Sequence, residues 1–265
     1  MPAKTKIEWA DYISNPIKAR NVETGKRGHA CVKFSEGCAN CWASGFNVRL
    51  GTGLGYTLPN LKKVEVFLDE KEIKKMWAFN PRLPKSGQFK NGRSRAVVFP
   101  CDMTDLFGDW ISDDMLDDVF QAMVNNDRVD WLVLTKRTDR MLAYLRKRRD
   151  YGNSLRAFGH VYVGCSVENQ KRANERLDAM KSISFIGWNT FVSFEPALEV
   201  VNWNRWEFLN GIICGGESGA SARPMPLAAA RSARDYCAEH DIPFFFKQWG
   251  EWLPLNHLAV VTDGT

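Results

Sequence analysis

Short runs rich in β-branched and aromatic residues alternate with amphipathic stretches along most of the 265 residues, and this alternation limits the chain to few folds. The runs at 30–35, 64–67, 96–100, 131–135, 160–164, 190–194, 211–214 and 243–246 read as strands. Between two of them, residues 113–125 place Met115, Leu116, Val119, Phe120 and Met123 on one helical face, with acids in the first turn where they favour the helix dipole. Residues 168–180 and 226–240 read the same way. Strand, helix, strand in succession implies parallel pairing with right-handed crossovers, hence an open doubly wound sheet or a β/α barrel. Segments 51–60 and 81–94, rich in Gly, Pro and basic residues, read as surface loops. The expectation is a single α/β domain over residues 1–265, with a basic loop insertion near 81–95.

The residues just past the strands favour the barrel. The pairs Cys101-Asp102, Lys136-Arg137, Cys165-Ser166 and Glu195-Pro196 each come directly after a run, as do Gly215-Gly216-Glu217-Ser218 and Lys247-Gln248-Trp249. The carboxyl ends of barrel strands converge on one mouth, whereas a doubly wound sheet gathers only a few groups at its switch point. Any one of these residues suits a helix cap, but together they read as the rim of a β/α barrel, eight-stranded or partial. Cys101 or Cys165 could then face the mouth as a hydrogen-atom donor or metal ligand. Glu195, stopped by a proline, suits ribose hydroxyls or a substrate amine. Lys247 puts a charged head after Phe244, Phe245 and Phe246, with Gln248 and Trp249 extending a substrate-binding edge. Lys136 and Arg137 open a helix that runs on to Arg146, Lys147, Arg148 and Arg149, a charge run that reads equally as a solvated face.

The balance of 36 Lys+Arg against 31 Asp+Glu and a 45% hydrophobic content exclude disordered and histone-like proteins and leave ample material for a core. No apolar run approaches the roughly 20 residues of a membrane helix, so a cytoplasmic location without membrane contact is expected. Seven cysteines, three of them in one short loop, do not form the pattern of a disulfide framework. Cys31, Cys38 and Cys41 follow C-x6-C-x2-C. The two-residue gap lets both sulfurs face one metal, and Gly37 lets the chain curl so that Cys31 reaches it too. Thiolates suit zinc and iron-sulfur clusters alike. Structural zinc wants four ligands, and His29, Cys101 or a distant cysteine would have to supply the fourth. A cubane held by three cysteines leaves one iron open.

This loop resembles that of radical S-adenosylmethionine (SAM) enzymes, whose commonest spacing is C-x3-C-x2-C. The chain as a whole more closely resembles the phage three-cysteine-motif family, which is radical-SAM-like. The resemblance runs through Lys6-Ile7-Glu8-Trp9, Asn15-Pro16, the cysteine loop, the segments 102–107, 132–137 and 163–168, Phe194-Glu195-Pro196, and the segments 215–219 and 244–250. It implies a 4Fe-4S cluster on Cys31, Cys38 and Cys41, SAM on the open iron, and a 5′-deoxyadenosyl radical that abstracts hydrogen from an unactivated carbon. Two departures stand out: the six-residue first gap, and Asn40 where the larger class often carries an aromatic ring against adenine, a role open to Trp42. Gly215-Gly216-Glu217 looks like the motif that binds the SAM amino group, though later in the chain than usual. Asp102, Ser166, Glu168 and Glu195 complete the cofactor contacts so implied. Lys136, Arg137, Glu217, Ser218, Lys247, Gln248 and Trp249 face the substrate, and Cys165, Glu195 and Lys247 take the catalytic roles.

The resemblance further implies a flavodoxin or ferredoxin as electron donor, a location in the host cytoplasm, and hypermodified thymine in phage DNA as substrate, isomerised along a side chain attached to the base. A radical-SAM lesion-repair lyase is the enzymatic alternative. A zinc-stabilised nucleic-acid-binding protein is the non-catalytic one. Basic residues clustered at Lys62-Lys63, Lys74-Lys75, Lys90, Arg93 and Arg95 offer contacts for a phosphate backbone, and a base in a duplex must be flipped out to reach a barrel mouth. Replacing any one of Cys31, Cys38 and Cys41 by alanine is expected to abolish cluster binding, while Cys237→Ala leaves it intact. Full iron and sulfide retention in Cys41→Ala refutes the ligand set.

Overall fold

Parallel pairing dominates the molecule, and the computed structural model describes residues 1–148 and 159–253 of it. In chain order the strands are β1 (Ala3–Lys4), β2 (Tyr12–Ser14), β3 (Ile17–Asn21), β4 (Arg27–Gly28), β5 (Val64–Leu68), β6 (Val97–Pro100), β7 (Asp130–Thr135), β8 (Val161–Ser166), β9 (Asn189–Phe194), β10 (Ile212–Gly215) and β11 (Phe244–Gln248). The helices are α1 (Trp42–Leu50), α2 (Leu58–Leu61), α3 (Glu70–Trp77), α4 (Asp113–Val124), α5 (Thr138–Lys147), α6 (Gln170–Phe185) and α7 (Leu227–Glu239). One sheet runs β1-β2-β6-β7-β8-β9-β10-β11, with every pairing parallel except β1 with β2. Among the described residues β11 does not pair with β1, so the sheet is a curled half-barrel rather than a closed ring.

Residue alternation along the strands divides the two faces. Val97, Phe99, Leu132, Leu134, Phe191 and Ile213 pack with Trp9 on the concave face. Trp131, Val133, Val161, Val163, Val192 and Cys214 join the main core on the convex face, beneath the helices. Helices α4 to α7 follow β6, β7, β8 and β10. After β9 no helix forms. There Trp203 and Trp206, both buried, pack against each other and Trp203 against Phe194, filling the place of the missing layer. Helix α4 begins on the Ser112 cap, whose side chain accepts from the Met115 amide.

One of the eight strand expectations is corrected outright, and a second strand forms as expected but outside the large sheet. Residues 30–35 form no strand because other groups take their backbone positions: the Ala30 carbonyl accepts from the Thr104 hydroxyl at 2.5 Å, and the Val32 carbonyl from Arg137 at 3.0 Å. Residues 64–67 do form a strand, β5, but it pairs antiparallel with β3 in a separate sheet ordered β4-β3-β5. Their places in the large sheet go to β1 and β2, which are too short for periodicity to reveal. Helix α6 starts at Gln170 on an Asn169 cap, so Glu168 stays outside it.

The segment 81–95 is not a free basic loop. Lys90 donates from Nζ to the carbonyls of Thr5, Ile7 and Ala10, each at 2.7 Å. Arg93 reaches the Trp9 carbonyl and the Asp11 carboxylate, and Arg95 pairs with Asp130 at 2.8 Å. Lys90 and Arg93 thus fasten the N-terminal segment, whose Trp9 packs on the concave face, and Arg95 ties the loop to the start of β7. Of the later basic run, Arg148 pairs with Asp117 at 2.5 Å, and Arg149 lies outside the described residues. No helix of the described residues is long and apolar enough to cross a membrane. Lys90→Met is expected to lower stability by about 2 kcal/mol, since three carbonyls lose a charged donor, and to speed hydrogen exchange in residues 5–11. A denaturant melt with exchange mass spectrometry checks both.

Candidate active site at the carboxyl ends of the strands

Two cavities open where the parallel strands end. The smaller, about 140 Å³, is lined by Cys31, Cys38 and Cys41 together with Cys101, Asp105 and Arg137. The larger, about 270 Å³, reaches from Cys38, Asn40, Cys41 and Trp42 across to Glu195, Lys247 and Gln248. Asp102, Lys136, Ser166, Phe99 and Leu134 line both, so the cavities share a wall. The three loop cysteines come together here through a chain segment that has no ladder of its own.

Side chains from four strand ends hold that segment. Glu168, fully buried after β8, accepts from the Ser35 hydroxyl at 2.6 Å and pairs with Arg176 at 2.6 Å. Gly37 must stay bare, because a Cβ there would fall 2.7 Å from the Glu168 carboxylate. Arg137, after β7, pairs with Asp105 at 2.8 Å, donates to the Val32 carbonyl and lies 4.8 Å from the Phe34 ring centroid. Glu217, after β10, accepts from Asn40 at 3.0 Å and pairs with Arg223 at 2.7 Å. Burial opposes ionisation of Glu217, but hydrogen bonds from Arg223 and Asn40 still hold its carboxyl below the usual range. Thr104, in the turn after β6, secures Ala30.

The far wall has a different character. Lys247 Nζ lies 2.5 Å from Glu195 Oε1, and the Ser193 hydroxyl is 3.4 Å from the other carboxylate oxygen. Gly215 leaves room for this pair, since a Cβ on it would sit 3.0 Å from Glu195 Oε1. A register shift between β10 and β11 brings the successive residues Lys247 and Gln248 both to the cavity, and Gln248 donates to the Ser218 hydroxyl at 2.7 Å. Lys136 Nζ donates to the Ser166 hydroxyl at 2.9 Å. Asp102 accepts from Asn15 at 2.5 Å, and burial pushes its pKa up.

The sequence expectations divide accordingly. Asn40, Trp42, Asp102, Ser166, Gly216 and Glu217 line the larger cavity, as do Lys136, Glu195, Ser218, Lys247 and Gln248. Four do not line either cavity. Cys165 lies on the convex face, fully buried, because alternation turns it away while Ser166 turns inward. Glu168 is buried beneath the cysteine loop. Gly215 backs Glu195, and Trp249 packs on Phe246 at 4.7 Å. Arg137 touches the smaller cavity only as part of the scaffold. Sequence reasoning missed Ser193, Phe99 and Leu134, though their inward positions two residues before or after known rim residues were available. It also missed Arg223 and Ser35, which nothing local marks.

All seven cysteines are free. Burial, reinforced by Asp105, pushes the Cys31 thiol up to about 12. Burial does the same to Cys101, which lines the smaller cavity with φ of 61°. His29 turns its Nδ1 to the Ile17 carbonyl at 3.2 Å. Among the described residues no group of three or more His, Cys, Asp or Glu stands close enough to hold a single metal ion. Tetrahedral zinc would need sulfurs about 4 Å apart, from bonds of about 2.3 Å. The three thiols that line the smaller cavity are soft donors of the kind an iron-sulfur cluster takes.

A family model described as "Protein of unknown function (DUF5131)" matches residues 4–263. The chain belongs to this family. No curated protein matches the DUF5131 chain in sequence. Among solved structures it is similar to a spore photoproduct lyase mutant, at a TM-score of 0.52 and 12% identity, over 93% of this chain and 78% of that one. A second mutant, with dinucleoside spore photoproduct, gives 0.52 at the same identity and coverage. The lyase complexed with dinucleoside spore photoproduct gives 0.51, again at 12% identity, 93% and 78%. The DUF5131 chain thus shares the half-barrel fold of spore photoproduct lyase.

Glu168→Ala strands a buried guanidinium and is expected to cost about 3–5 kcal/mol. Alkylation of Cys38 should quicken as the loop loosens, and adding Arg176→Met should restore part of the stability. Chemical denaturation and timed alkylation read these outcomes.

Proposed function

We propose that this DUF5131 protein is a radical-SAM enzyme that acts on a nucleobase carried by DNA. The observation that carries the reading is the cavity lined by Cys31, Cys38 and Cys41, which shares a wall with the larger chamber at the carboxyl ends of the strands. In this reading the three cysteines hold a 4Fe-4S cluster and leave one iron for SAM. When bound, the cluster and SAM supply a 5′-deoxyadenosyl radical that abstracts hydrogen from an unactivated carbon. The protein's own residues bind, orient and exclude water. Trp42 offers a ring for adenine, while Asp102, Ser166 and the Gly216 backbone offer polar contacts for SAM's amine and ribose. Glu195 and Lys247 present an acceptor beside a donor on the opposite wall, where the base and its side chain lodge.

The finer reading is hypermodified thymine in viral DNA, with an amino group moved along the attached side chain. The Glu195 carboxylate suits the ammonium, and hydrogen is removed from the carbon beside it. Repair of a DNA lesion is the second reading, favoured by a fold shared with a lyase solved with dinucleoside spore photoproduct. Either reaction takes its electron from a flavodoxin or ferredoxin in the host cytoplasm.

Anaerobic reconstitution with iron and sulfide, followed by electron paramagnetic resonance of the reduced protein, tests the class. A 4Fe-4S signal that changes on adding SAM is expected. Stoichiometric zinc without such a signal overturns the reading. Lys247→Met and Glu195→Gln are expected to keep the SAM-dependent signal while lowering turnover of a modified-thymine oligonucleotide by about 100-fold or more, as loss of a positioning contact does.

A further inference from the structure

The excess of positive charge is local. Residues 17–68 carry eight Lys and Arg against three Glu and no Asp, an excess equal to the +5 of the whole chain, so the remaining residues balance. This segment builds the antiparallel β4-β3-β5 sheet, the cysteine loop and α1. In the sheet, Ile17 and Ala19 are buried, while the register aligns Lys18 with Phe67 and Arg20 with Arg27 on the opposite face. The guanidinium carbons of Arg20 and Arg27 lie 5.5 and 5.2 Å from the Phe67 ring centroid. Arg20 also meets Glu65 at 3.7 Å. Like charges directly opposite each other destabilise a sheet, and two guanidinium groups sharing one ring leave positive charge that a polyanion would relieve.

Helix α1 connects this sheet to the chamber. Trp42, at its start, lines the larger cavity. Beyond its end, Gly28 of β4 packs so closely that a Cβ on it would fall 2.7 Å from the Gly51 Cα. Only Ala43 and Asn47 of α1 are buried. Trp42, Phe46 and Leu50 recur at every fourth residue and are all exposed, with the Trp42 and Phe46 rings edge to face at 6.5 Å. The helix spans about 13 Å from chamber to sheet at about 1.5 Å per residue.

We propose that Arg20 and Arg27 over Phe67, with the Trp42-Phe46-Leu50 edge of α1, form the surface that holds the DNA strand whose base enters the chamber. The guanidinium groups take phosphates, and Phe46 stacks on a base flanking the extruded one. This inference rests on the nucleic-acid reading of the chamber. An acidic redox protein would share the charge complementarity, but aromatic rings leading to the chamber rim favour a polymer with bases to stack.

Fluorescence anisotropy of the full chain with a labelled single strand of about 20 nucleotides, and with its duplex, tests the surface between about 50 and about 200 mM salt. Arg20→Gln/Arg27→Gln is expected to weaken binding about tenfold and to lower the logarithmic salt slope by about 1 per arginine. Phe46→Ala is expected to weaken it about tenfold with the slope unchanged. Circular dichroism verifies folding, and Arg20→Lys/Arg27→Lys, which keeps the charge, is expected to keep the slope. DNA binding by the native chain that neither Arg20→Gln/Arg27→Gln nor Phe46→Ala alters overturns the surface and leaves the chamber reading standing. No binding by the native chain overturns both. Intact DNA affinity with slower reduction by an acidic flavodoxin assigns the surface to the electron donor and overturns the proposal.

Discussion

Glu168 is a carboxylate with no solvent-exposed surface, and the cysteine loop rests on it. A buried charge is tolerable only when it is paired and hydrogen-bonded, and Glu168 satisfies this with Arg176 on one side and Ser35 on the other. The first partner belongs to α6 and the second to the loop, so the same carboxylate anchors the cysteine loop to the convex helical layer. Arg137 and Glu217 repeat the device from the ends of β7 and β10. With Thr104 after β6, four strand ends therefore position a loop that forms no strand of its own. Its geometry is only as good as these ion pairs.

Much of the fold was legible because it depends on local periodicity. Six parallel strands and the helices between them follow from residue alternation and amphipathic spacing, as at 131–135 and 190–194. The features that escaped depend on partners distant in the chain. The segment at 30–35 has the residues of a strand, yet its carbonyls are taken by Thr104 and Arg137. The segment at 64–67 is a strand whose partner, β3, could not be inferred from its own sequence. At the site, the rim residues could be read from their places after the strands. Which of them touch the cavity and which support it could not, because Cys165 and Ser166 differ only in the face to which alternation turns them.

Charge illustrates the same limit. A basic residue in a sequence looks available, but Lys90, Arg93, Arg95 and Arg137 are spoken for by carbonyls and carboxylates within the protein. Lys247 keeps its place on the cavity wall although it too has a partner, because Glu195 lines the cavity with it. The contrast separates scaffold from site more clearly than residue type does. Cations whose partners are backbone carbonyls hold chain segments together, whereas an ion pair set on a cavity wall offers a ligand both signs at once.

The sheet stops short of closure: among the described residues β11 and β1 do not pair, while Trp9 of the N-terminal segment packs on the concave face. A complete ring of strands is a cup, filled from above by something small enough to drop in. A ring with a missing stave is a channel with a slot. On the nucleic-acid reading proposed for the chamber, such a slot lets a unit still joined to neighbours on both sides be laid in edgewise, with neither end threaded through the opening.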